Sequence, residues 1–143
     1  MSILLMNILH ESLASNGLLL LQLLMAAFLG ILFLQSGLDK IFDYKGNLAY
    51  LMEHFKNSPL GRFTGFLLPV IILLEVAAGL LSAVGLIALL LGNHTIAYWG
   101  NMLAAIALLA LFFGQRIAKD YGGAATLVVY FMVTMFGLYI HTL

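Results

Sequence analysis

Cysteine is absent from the 143 residues. That removes thiol–disulfide exchange, Cys-ligated zinc and iron–sulfur clusters from the chemistry open to this chain. Charge is scarce as well: Lys, Arg, Asp and Glu together make 8% of the sequence, where a soluble domain carries about 25%. The charges cancel to zero, so a nucleic-acid partner has no electrostatic basis. The N-terminus has neither a basic n-region nor an A-x-A-like cleavage site, and it is expected to be retained. What fills the chain is apolar, 64% of all residues, with a mean hydropathy of +1.11. This is the composition of an integral membrane protein in contact with the lipid bilayer, and its length suits one compact bundle.

The stretch from Arg62 to Gly92 organises the rest. Between Phe63 and Leu91 its one charged residue is Glu75, and the run is long enough to cross a hydrocarbon core about 30 Å thick. An acid near the bilayer centre costs about 2.5–3.5 kcal/mol on the insertion scale. The surrounding Leu, Ile, Val and Phe each return about 0.3–0.6 kcal/mol, so the helix inserts with Glu75 in place.

The expected fold is all-α, an integral membrane four-helix bundle forming one domain over residues 1–143. Its spans fall at about 17–38, 63–91, 95–115 and 121–143. Met1 to Gly17 reads as an interfacial lead-in to span one. Gly30, Phe33 and Gly37 share a face of that span, and small residues so spaced let another helix approach closely. Apolar residues Ile41, Tyr44, Leu48, Met52 and Phe55 share one face of a short amphipathic interfacial helix between spans one and two. Ser58 and Pro59 suit the cap and first turn of the helix that follows, and Pro69 is placed to kink it. On span two, Thr64, Leu68, Ile71, Glu75, Gly79 and Ser82 form one line. On span four, Gly123, Thr126, Tyr130, Thr134, Gly137 and His141 form a polar stripe. All six Lys and Arg lie in the segment 39–62 or in the turn after span three. The positive-inside rule then places both termini in the periplasm of a multi-pass inner-membrane protein.

Ser36-Gly37-Leu38-Asp39-Lys40 closing span one, Pro59 before span two, Glu75-Val76-Ala77-Ala78-Gly79 within it and the four-span layout together resemble the DoxX-like family of small four-helix membrane proteins. That family often carries a basic residue soon after the second span, where this chain has Gly92-Asn93-His94-Thr95. The resemblance implies an association with respiratory or sulfur-oxidising quinone chemistry, in which founding members are membrane subunits of a thiosulfate:quinone oxidoreductase. It also makes Asp39 and Lys40 a second candidate site beside Glu75.

Two readings of Glu75 stand side by side. As a structural group it is neutral and hydrogen-bonded across the bundle to Tyr130, Thr134 or Asn101, which makes these three the candidate cofactor contacts. As a functional group it carries protons to or contacts a quinone, whose carbonyl oxygens need protons on reduction. A docking contact with another subunit's helix is a further role for the same acid. Asp39, Lys40 and Asp43, at i, i+1 and i+4, read as a solvated helix end or as a cluster at the bundle mouth. His10, His94 and His141 fall on one side of the membrane, but their loop positions argue against haem or a bound metal. The sequence thus points to a subunit or accessory of a quinone-linked redox complex, with other membrane subunits or a second copy as partners. The rival is a non-catalytic interaction subunit packed against a larger membrane assembly, and a conduit would require a continuous polar path.

Overall fold

The computed structural model describes residues 2–143. Among the described residues five helices follow in order: α1 (Ile3–Phe42), α2 (Tyr44–Phe55), α3 (Thr64–Leu90), α4 (Thr95–Ile117) and α5 (Tyr121–Ile140). A 3₁₀ turn at Gly61–Phe63 leads into α3. Helices α1, α3, α4 and α5 are long and apolar enough to cross a membrane, and α2 is the short helix between the first two spans. Side chains such as Phe66, Leu73, Ile87, Val129 and Met132 face outward, as they do where lipid tails replace water as the solvent. The architecture is a membrane helical bundle.

Small residues set the register of neighbouring helices. Gly37 lies against Val76 and Glu75, Gly79 against Leu34 and Phe33, and Gly30 against Ala83. A Cβ added to Gly79 would stand 2.6 Å from the Leu34 backbone nitrogen, so only glycine permits this approach. On the other side of α3, Gly85 meets Ala97 and Gly100 meets Ser82. In this antiparallel register Phe42 is level with about residue 71, so the first two turns of α3 run past the end of α1. Helix α2 folds across that step. Leu29, Phe33, Ala78, Ala104, Ala107 and Leu108 form the central core.

Several local expectations change. The segment before Gly17 is not a separate interfacial piece: α1 is continuous from Ile3 and, at 1.5 Å per residue, about 60 Å long. Asp43 does not extend a charged face with Asp39, because α1 stops at Phe42. Its carboxylate instead caps α2, accepting the Gly46 amide at 3.1 Å. Ser58 does not cap α3 either, since its hydroxyl donates to the Phe55 carbonyl at 2.9 Å and closes the end of α2. On α2, Met52 is exposed while His54 and Phe55 turn inward. Thr126 drops out of the inward stripe of α5; it is exposed and donates to the Gly122 carbonyl of its own helix.

Candidate functional site

Glu75 is 1% exposed, and its hydrogen-bond and ion-pair partners come from α1. Lys40 Nζ lies 2.9 Å from one carboxylate oxygen and 3.2 Å from the other. Ser36, one turn before Lys40, links the two: its hydroxyl donates to Glu75 at 3.0 Å and accepts from Lys40 at 2.8 Å. Lys40 also donates to the Ser36 carbonyl at 3.2 Å. The i, i+4 spacing of Ser36 and Lys40 puts both on the face that flanks Gly37, where α1 touches α3 at Val76 and Glu75. A buried carboxylate thus receives a counter-charge and a hydroxyl donor from one turn of helix.

This corrects the expected surroundings of Glu75. Asn101, Thr134 and Tyr130 are engaged elsewhere: Asn101 donates to the Thr134 carbonyl at 2.7 Å, the Thr134 hydroxyl to Phe131, and Tyr130 packs near Phe28. For Asn101 and Thr134 the reason is depth. Gly100 opposes Ser82, which leaves Asn101 about 9 Å along the bundle from the level of Glu75. At that level α4 offers Ala104, Ala107 and Leu108. The apolar core therefore separates the Lys40–Glu75 pair from the Asn101–Thr134 pair, and no continuous polar path joins them among the described residues. Asp39 points away from the pair and is exposed.

Beside Lys40 lies a cavity of about 240 Å³. It occupies the step between α1 and α3: Leu67, Leu68, Val70 and Ile71 of α3 form one wall and the end of α4 another, with α2 as the cover. The lining is apolar except for Lys40, Tyr50, His54 and Gln115. His54 joins the cover to the wall, its Nε2 2.7 Å from Gln115 Oε1 and 3.8 Å from Asp120 Oδ2. An apolar chamber with a few convergent polar groups is the usual form of a small-molecule site. Sequence reasoning missed His54, and the hint available was its position one residue before the inward Phe55.

At the opposite end of the bundle, Gln22 ties three helices together. It donates to the Ile140 carbonyl at 3.2 Å and accepts from His94 Nδ1 at 3.0 Å. His141 stacks edge-on against Tyr98 at 6.2 Å between centroids. Burial, and next the nearby His94, hold the His141 imidazole below its ordinary pKa. His10 does not join them, because it lies about 18 Å up α1 from Gln22. Among the described residues no group of three or more His, Cys, Asp or Glu is placed to hold a metal ion.

A family model with the description DoxX matches residues 21–111, which reach from α1 into α4 and include Ser36, Lys40, His54 and Glu75. No curated protein and no solved structure gives a significant match.

Proposed function

The chain belongs to the DoxX family, and from that premise we propose that this integral membrane protein is a subunit or accessory of a quinone-linked redox complex. We assign the complex to the inner membrane, with the end that carries Lys40 and α2 toward the cytoplasm. The observation that carries the reading is the Ser36–Lys40–Glu75 group at the edge of an apolar cavity. The residues fit an isoprenoid quinone: Tyr50 offers a hydroxyl and His54 a free ring nitrogen to ring oxygens, Lys40 adds positive charge, and the walls are apolar where a ring and the start of its tail would lie. A volume of about 240 Å³ falls just below the roughly 300–1,000 Å³ of common ligand pockets, which suits a single ring with its tail continuing into lipid. A bound quinone would supply two-electron, two-proton acceptor chemistry.

Within this reading Lys40 sets a positive charge at the edge of the cavity, its three donors held by Ser36 and Glu75. Glu75 sits behind it and holds its charge, and Ser36 fixes the spacing between them. The test is binding of decylubiquinone to the purified protein in nanodiscs. One equivalent should bind, and Leu51→Trp, which fills the cavity from α2, should abolish binding with the helix content unchanged. Absence of binding, together with loss of integrity when a larger assembly is stripped away, would favour the non-catalytic interaction subunit.

A further inference from the structure

His54 carries more order than a helix tether needs. Its ring stacks on Tyr50 with centroids 5.3 Å apart and planes 19° from parallel, and stands edge-on to Phe55 at 5.0 Å. Nε2 faces two oxygens, Gln115 Oε1 and Asp120 Oδ2, so it carries the proton and donates. Asp120 is itself held, since it caps α5 by accepting the Gly123 amide at 2.9 Å. Three elements, α2, the end of α4 and the start of α5, therefore fix one imidazole on the cavity wall. Its Nδ1 has no hydrogen-bond partner among the described residues.

We propose that His54 is a hydrogen-bond donor to the polar head of the cavity ligand, with Asp120 and Gln115 as its positioning residues. This rests on the reading of the cavity as a quinone site. The titratable and charged groups around His54 are few. Lys40, paired with Glu75, lines the same cavity, Tyr50 stacks on the ring, and Asp120 lies behind it; α3 contributes only apolar side chains to the cavity wall. In the charged imidazolium Nδ1 also bears a proton. That Nδ1–H donates to one polar oxygen of the ligand while the Nε2–H stays with Gln115 and Asp120; binding forms this hydrogen bond and breaks no covalent bond.

The test uses the whole protein in nanodiscs with decylubiquinone as the probe, across about pH 5–8, where imidazole changes charge. Wild-type affinity should tighten about tenfold toward the acid end, as expected for a charge-assisted hydrogen bond. His54→Gln keeps a side chain that can reach Gln115, and should bind with no pH dependence. Asp120→Asn, which loosens the hold on the ring, should reduce the tightening at the acid end. The ¹⁵N imidazole resonance of His54, assigned by its loss in His54→Gln, should change its titration when the probe is added; this readout in the wild type does not depend on the variant folding. Unaltered pH dependence in a folded His54→Gln, or a His54 resonance indifferent to the probe, overturns the proposal while leaving the cavity as a quinone site. A wild-type protein that binds no probe at any pH overturns both.

Discussion

Removing Lys40 should cost far more than neutralising Glu75, although the two are partners in one contact. The pair is asymmetric in its access to water: the Glu75 side chain is 2% exposed and that of Lys40 21%. At 2.9 Å and an effective dielectric of about 20, the attraction is about 6 kcal/mol before desolvation is subtracted. Breaking a buried pair from one side costs about 3–5 kcal/mol, because the other charge is left without compensation. Lys40→Met does this to Glu75, which keeps only the Ser36 hydroxyl. Glu75→Gln leaves an ammonium that can extend along its own stem toward water, and preserves an acceptor for Ser36, so about 1 kcal/mol is expected. The double variant Lys40→Met/Glu75→Gln carries no buried charge and should recover most of the stability lost in Lys40→Met. Unfolding by titrated sodium dodecyl sulfate, followed by the helical circular dichroism signal, gives the three differences. A Lys40→Met protein as stable as wild type would refute the argument. So would a double variant whose loss equals the sum of the singles within about 0.5 kcal/mol.

Two further outcomes follow from other parts of the molecule. Burial and then His94 lower the pKa of His141, so as pH falls the unfolded chain takes up this proton before the folded one does. Stability should be undiminished above the ordinary histidine value of about 6.5 and should decline below it. His141→Gln should flatten that acid limb in thermal unfolding across about pH 5–8; an identical limb in the variant would assign it to another group. For the orientation, alkaline phosphatase fused after Leu143 should be active, because the Lys and Arg residues all lie at the opposite end of the bundle. An inactive fusion with intact membrane insertion would reverse the orientation.

The membrane spans and the singular position of Glu75 within one were legible in the sequence because both depend on local quantities. Transfer free energy sums residue by residue along one helix, and a single acid in such a run stands out without knowledge of its neighbours. Lys40 was also legible, through the Ser36-Gly37-Leu38-Asp39-Lys40 resemblance, but Asp39 came with it, and periodicity alone did not separate the inward residue from the exposed one. What joins Glu75 to α1 rather than to the polar stripe of α5 is relative depth. That depth is decided where Gly30, Gly37 and Gly79 let α1 and α3 backbones meet, a contact between segments about forty residues apart whose register no single helix encodes. The cavity arises from the same offset, since α1 ends before α3 begins to be covered and α2 closes the step. His54 acquires its partners only there, because Gln115 and Asp120 reach it through the folding of two other helices. Hydropathy decides which residues enter the membrane, and the packing of backbone against backbone decides which polar groups find one another inside it.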